Sequence, residues 1–537
     1  LKVRVILTLA VLAVFALAGC GGGGQTVDKP AQAKAPQLIR YNLCTEPETL
    51  DPAQATGQPE GTVLSNMFEG LVRYGPNNEI RPGIAREWSV SADGLIYTFK
   101  LREAKWSNGD PVTARDFVYS WLRLLDPKTA SEYAYQLFYL KGAEEYNSGQ
   151  GKSEEVAVRA KDELTLEVTL KAPAPQFLGL TAYPSLFPVN PRVDKESPDW
   201  AKSMDKYVVN GPFRPVKWDH NQRIDLVKNE KYWDAGSVRL ERLEIYLVDN
   251  IDTGYNMYQA GQLDFQEEVP TQEMARLKGG NGVKIYPDAS VYFYRFNVTK
   301  KPFNDPRVRR ALAMSINRLE LVDKVTQANQ VPAYSFVPIG IPDETGRDFR
   351  QNAGNQFFKE DLAEAKRLLA EAGYPDGRGF PRVSILTNAH AGHQKVAQAV
   401  QQMWKQNLGV EVGVTVQEWQ VYNDSQDKLN FEICRAGWGP DYLDPMTFID
   451  LFVTNGGNND TGWSNREYDA LVAKANAAAD PKVRMEAMRQ AEKILISEMP
   501  VMPIYFYTNP NLVRDSVKGV IVPPFAISAD FKQAYIE

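Results

Sequence analysis

"IAREWSVSADGLIYTFKLREAKWSNGDPVTARDFVYSWLRLLDP", Ile84 to Pro127, changes its periodicity once along its length. In the first half Leu95, Tyr97, Phe99 and Leu101 alternate with Ile96, Thr98 and Lys100. Successive side chains of a strand face opposite ways, so this pattern predicts a strand with one well-buried face. "SNGDP", Ser107 to Pro111, supplies turn chemistry. Thr113 then precedes "ARDFVYSWLRLL", in which Phe117, Trp121 and Leu124 recur at helical spacing.

The same two periods alternate further out. "LTLEVTL", Leu164 to Leu170, is a second alternating strand. In "DPRVRRALAMSIN" Asp305 is placed to cap a helix with Pro306 at its first position, and Val308, Ala311, Leu312, Ser315 and Ile316 form the inner face. "DLAEAKRLLAEAGYPDG" is a helix stopped by Gly373 and Pro375. "VSILTN" reads as a strand, "HQKVAQAVQQMWKQNLG" as a helix with Val396, Val400, Met403, Trp404 and Leu408 inward, and "VEVGVTVQEW" as the next strand. Strand, helix and strand in that order predict an α/β lobe, and the whole chain reads as two lobes of mixed α/β structure.

At 537 residues the chain can bury a large core and exceeds the usual single domain. Its net charge of −6 and the lack of any basic run argue against capture of nucleic acid. Lys2 and Arg4 precede the apolar run Val5 to Leu17, which is short for a membrane span and is followed by small residues. That is the pattern of an export signal, predicted over residues 1–19. "LAGC", Leu17 to Cys20, resembles the bacterial lipobox, which implies cleavage before Cys20 and diacylglycerol on its sulfur. More than one acyl chain on a single residue gives stable anchoring. Residues 20–37, rich in Gly, Ala, Pro, Gln and Lys, read as a flexible tether. The other cysteines, Cys44 and Cys434, are expected to be two buried thiols, with a disulfide as the alternative.

Motifs for catalysis are missing. The chain has three histidines and no G-x-S-x-G elbow, H-E-x-x-H zinc motif or G-x-x-x-x-G-K-[ST] phosphate loop. His390 and His393, in "HAGH", would share a helix face, but no cysteine or carboxylate clusters beside them to complete a metal site. Aromatic residues are the stronger signal: Tyr133 to Tyr139, Tyr292 to Phe296, Ile504 to Tyr507, and Trp419 and Trp438. Most belong to the core, and any that face a cleft would give it amphipathic rings. The segment "CRAGWGPDYLDP", Cys434 to Pro445, holds two carboxylates, each open to four roles: catalytic acid, metal ligand, turn residue or counter-ion. Asp444 precedes a proline, which favours a turn or helix start.

The opening segment, together with "NGPFRPVKW", "VKNEKYW", "KPFNDPRVRRALAMSINR", "LLAEAGYPDG", "QEW" and "RAGWGPDYLDP" in that order, resembles the family-5 solute-binding proteins of ABC importers. "TASEYA", "QEW" and "RAGWGPDY" are most similar to its oligopeptide-binding branch. The resemblance covers everything after the tether. It implies a type II periplasmic-binding-protein fold, a Venus flytrap of two α/β lobes plus an additional β-rich domain. The implied domains are a discontinuous domain I (38–66, 186–288 and 507–537), domain II (67–185) and domain III (289–506). It implies no enzyme activity and no cofactor. The implied partners are an extended peptide and the permease and ATPase subunits of an importer. The implied receptor is a monomer, lipid-anchored on the extracytoplasmic face of the membrane or in a periplasmic space.

Residue by residue, the resemblance puts the peptide α-amine on Asp441, with Tyr133 assisting through its hydroxyl. It puts Trp438 and Trp419 in side-chain pockets, Arg435 beside the site, and His393 where a histidine reaches toward a peptide carboxylate. Basic residues that hold the carboxylate in the pattern are replaced by Thr326 and Gln426, and an acidic residue at the cleft's start by Thr56, with Glu60 nearby. Other ligands of the same fold (a dipeptide, nickel chelate, peptide pheromone or sugar) are the nearest alternatives. A lipid-anchored hydrolase or chaperone is the remote one.

Overall fold

The strand of the opening segment forms at Ile96–Leu101, with Tyr97, Phe99 and Leu101 buried and Ile96 outward. Helix Ala114–Leu125 follows, capped by Thr113. Asp116 accepts from the Thr113 amide and from Trp106 Nε1, both at 3.0 Å, so the same carboxylate closes the helix end and holds the preceding turn. Phe117, Trp121 and Leu124 are fully buried, as their spacing requires. Ile96–Leu101 sits in an antiparallel sheet with order Ala85–Val90, Ile96–Leu101, Thr165–Thr169, Val158–Asp162. Trp88 and Phe99 face each other across it.

The computed structural model describes residues 36–76, 78–202, 204–278, 282–354, 356–478 and 480–537, and at 352, 353, 419 and 420 the backbone alone. The export signal, Cys20 and nearly all of the tether therefore lie outside the described residues. Residues 37–537 form one compact unit. Among the described residues no helix is long and apolar enough to cross a membrane.

A second sheet runs through this unit. From one edge its strands are Val412–Gln417, Val383–Asn388, Ile433–Trp438, Lys284–Phe296, Val501–Val513, Phe265–Gln266, Leu38–Asn42, Arg242–Tyr246, Arg223–Lys228 and Phe213–Asp219. Val331–Pro332 pairs to the side of Val501–Val513. At the first edge, Val383–Asn388, helix Ala391–Leu408 and Val412–Gln417 form a parallel strand–helix–strand unit in the register Val383 to Val412 through Asn388 to Gln417. The helix buries Val396, Val400, Trp404 and Leu408, Met403 is half-buried, and Trp404 Nε1 donates to Leu312 O at 3.0 Å. The strand ends at Gln417, earlier than its sequence suggests, because helix Trp419–Asp427 starts there.

Two strands of 13 residues, Lys284–Phe296 and Val501–Val513, link the two halves of this sheet. They pair antiparallel from Lys284 with Asn511 to Arg295 with Val501, with register shifts between Pro287 and Val291 and between Tyr292 and Phe293. At roughly 3.3 Å per residue each spans about 40 Å. Helix Pro306–Met314, with Asp305 accepting from the Arg307 amide at 2.8 Å, packs on helices Leu362–Glu371 and Pro481–Glu498. Cys44 and Cys434 are both buried and free.

Candidate functional site

Strand Ile433–Trp438 ends in a loop that carries both carboxylates of the "DYLD" stretch. They separate at once. Asp444 Oδ1 accepts from the Met446 amide at 2.9 Å and so opens helix Met446–Ile449, the turn role expected of it. It is also held two-pronged by Arg484, at 2.8 and 2.7 Å. Asp441 has no ion-pair partner among the described residues; its Oδ2 accepts from the Tyr135 hydroxyl at 3.0 Å. Burial pushes the Asp441 carboxyl up to about 6, against the Tyr135 hydrogen bond that holds it down.

Asp441 lines a cavity of about 660 Å³ with Tyr135, Trp438, Tyr442 and Asp450. Asp450 is pushed up to about 7, first by burial and then by the charges of Asp441 and Asp444. Glu144 and Lys171, on the same wall, pair with each other, and Arg484 pairs with Asp444, which leaves Asp441 and Asp450 as the acids of this end of the cleft without an ion-pair partner among the described residues. Among the described residues no group of three His, Cys, Asp or Glu is placed to hold a metal ion. What remains is a desolvated carboxylate facing open space, an arrangement suited to a cation.

The aromatic run around Tyr133 packs here. Tyr133 stacks on Tyr183 at 5.5 Å and lies 5.6 Å from Tyr135. The hydroxyl that bonds Asp441 belongs to Tyr135 rather than to Tyr133. The sequence showed the run but could not say which ring faces the acid, because Ala134–Leu137 is a single 3₁₀ turn rather than a strand. Trp438 is in the same cavity, with its Nε1 buried and unpartnered among the described residues. The Trp419 side chain lies outside the described residues.

Arg435 and His393 belong to a different stretch of the cleft. Arg435 Nη2 donates to Tyr507 Oη at 2.6 Å, and its guanidinium lies 5.0 Å from the Tyr292 ring centre. His393 lies 4.2 Å from His390 and 5.5 Å from Tyr292. Burial, then the charges of Arg435 and His390, push it down to about 2, so it is a neutral imidazole at ordinary pH. Both histidines and Thr326 line a cavity of about 300 Å³. Gln426 is occupied elsewhere: it accepts from Arg295, at 2.6 Å, which is itself ion-paired to Asp460. Glu60 is buried in its own helix and accepts from the Glu48 amide at 2.6 Å.

A sheet of two halves joined by two long strands, with the candidate ligand groups along a cleft, is the type II periplasmic-binding-protein fold. Residues 79–460 match the family described as "Bacterial extracellular solute-binding proteins, family 5 Middle". The chain belongs to that family. It is 40% identical over 516 residues to the dipeptide-binding protein DppE of Bacillus subtilis strain 168, covering 95% of each chain. It is 39% identical over 545 residues to the oligopeptide-binding protein OppA of the same organism, covering 99% of each. Among solved structures it is similar to Haemophilus influenzae OppA in complex with RPPGFSPFR, with TM-score 0.78 and 34% identity, over 94% of this chain and all of that one.

Proposed function

We propose that this protein is the receptor of an ABC importer, that its ligand is a peptide, and that the peptide is fixed by its α-ammonium on Asp441. The observation that carries this is a half-buried carboxylate with a phenol for its partner and no cation among the described residues. An ammonium entering a cleft loses its water and needs a counter-ion, and Asp441 is built to supply one. An extended peptide gains affinity through its main chain, as when a strand adds to a sheet, while its side chains enter partly hydrated cavities. The peptide-bound relative and the relatives named for dipeptides and oligopeptides support this reading. Tyr133, Tyr135 and Trp438 wall the amine end, with Trp419 assigned there by motif alone. Arg435 and His393 serve the far end.

Ligand closes the lobes by touching both, bending the two long strands. The division into domains I (38–66, 186–288, 507–537), II (67–185) and III (289–506) is part of the proposal. So are anchoring through Cys20, action as a monomer outside the cytoplasm, delivery to a permease, and binding without turnover or cofactor.

Calorimetry on the delipidated protein tests the central claim. Asp441→Ala weakens a free-amine peptide at least about ten-fold, ~1.4 kcal/mol, and N-acetylated peptide binds the wild type poorly. Unchanged affinity in the variant sinks the assignment. Mass spectrometry of the incubated peptide recovers it intact; fragments would favour a hydrolase.

A further inference from the structure

The cleft continues past the amine end. Ala526 and Ile527 line a cavity with Asp441 and Tyr183, and the next residue, Ser528, lines the cavity of His390 and His393. A peptide held at Asp441 directs its trailing end there, so the inference rests on the peptide reading. This second cavity carries charge of both signs. Thr326 is uncharged and His393 neutral, while the Arg435 guanidinium, hydrogen-bonded to Tyr507, lies close enough to act on His393. Lys395 is one ionisable group on the wall; Glu267 and Glu268 are two more.

Glu267 follows strand Phe265–Gln266, which fixes its backbone: the Glu267 amide donates to Asn42 O at 3.4 Å, and its carbonyl accepts from Cys44 Sγ at 3.3 Å. Its side chain is half-buried, and Oε1 is buried with no hydrogen-bond partner among the described residues. Neither glutamate forms an ion pair with a described residue. Burial drives the Glu267 carboxyl well above the usual range; a hydrogen bond with Ser528 opposes this, and the charge of Glu268 adds to it. A buried acceptor left empty is costly, and an ammonium brings three donors and the missing charge.

We propose that Glu267, with Glu268 exposed at the rim, is a subsite for a cationic ligand side chain, a lysine-like ammonium carried near the peptide's carboxyl end. The receptor then reads two ammonium groups, one at Asp441 and one at Glu267.

The test is calorimetry with peptides of three to five residues that are identical except for the last, which is lysine, Nε-acetyl-lysine or norleucine. The lysine peptide binds the wild type at least about ten-fold tighter than either partner. Glu267→Gln and Glu268→Gln each shrink that ratio, and the double variant abolishes it while keeping affinity for the norleucine peptide. Thermal melts check that the variants fold; Glu268→Gln, at the exposed position, carries the test should Glu267→Gln not. Equal binding of the three peptides by wild type, a preference for norleucine, or a ratio that survives the double variant overturns the subsite alone. No binding of any peptide overturns the peptide reading with it.

Discussion

Asp441 and Asp444 lie three residues apart in one loop and have opposite fates. Asp444 faces inward, where Arg484 takes both its oxygens. Asp441 faces the cleft, where a phenol is its partner. The first carboxylate is satisfied by the protein and serves the fold. The second is left under-satisfied, so it serves a ligand while costing the empty protein stability. The lesson is that a ligand group is better recognised by what it lacks than by its residue type.

The largest effect breaks the satisfied side of this contrast. Arg484→Ala strands a buried carboxylate and lowers stability by about 3–5 kcal/mol in chemical denaturation. Asp441→Asn does the reverse. It cuts peptide affinity at least about ten-fold, yet the ligand-free variant melts no lower than wild type and melts higher at pH 8. The sign follows from the raised carboxyl. A folded value near 6, above the unfolded one, means the ionised form is penalised in the fold, so this group's contribution improves as pH falls through 6 and worsens as pH rises.

Ligand binding has the opposite slope. The site requires ionised Asp441 and a protonated amine, so affinity for one free-amine peptide is highest near pH 7, falls about two-fold toward pH 8 as the free amine loses its proton, and falls about ten-fold between pH 7 and pH 5. Titration calorimetry across that range, repeated on Asp441→Asn, should show the step vanish in the variant. Asp450→Asn leaves the step close to pH 6, because Asp450, pushed up to about 7, is already largely protonated where Asp441 titrates. The smallest effect is Tyr135→Phe. It removes one orienting hydrogen bond, weakens the peptide a few-fold, about 0.5–1 kcal/mol, and moves the step to higher pH.

Local features of this chain were readable in advance because they depend on neighbours in sequence. Tyr97, Phe99 and Leu101 declare a buried strand face, Asp305 and Pro306 a helix start, and Asp444 a turn, without help from distant residues. The resemblance then pointed to Asp441. What stayed hidden depends on long loops closing. Arg484 reaches Asp444 from 40 residues away, and Tyr135 reaches Asp441 from 306 away. The pairing of Lys284–Phe296 with Val501–Val513 likewise joins segments remote in sequence. Neither period nor composition encodes which tyrosine of a run meets which acid. Glu267 was invisible for the same reason: only the fold shows that its oxygen has been enclosed without a partner.

The first of the two register shifts between the long strands falls at the cleft. Pro287 pairs with Thr508 and Val291 with Phe506, so residues 288–290 face Tyr507 alone. Within that stretch the Ala289 amide donates instead to Pro524 O, at 2.8 Å. Tyr507 is also the residue that accepts the Arg435 hydrogen bond and lines the far cavity. A residue opposite an irregularity of the frame and a wall of the cleft are thus the same residue, so a ligand that touches Tyr507 touches the frame with no intervening linkage.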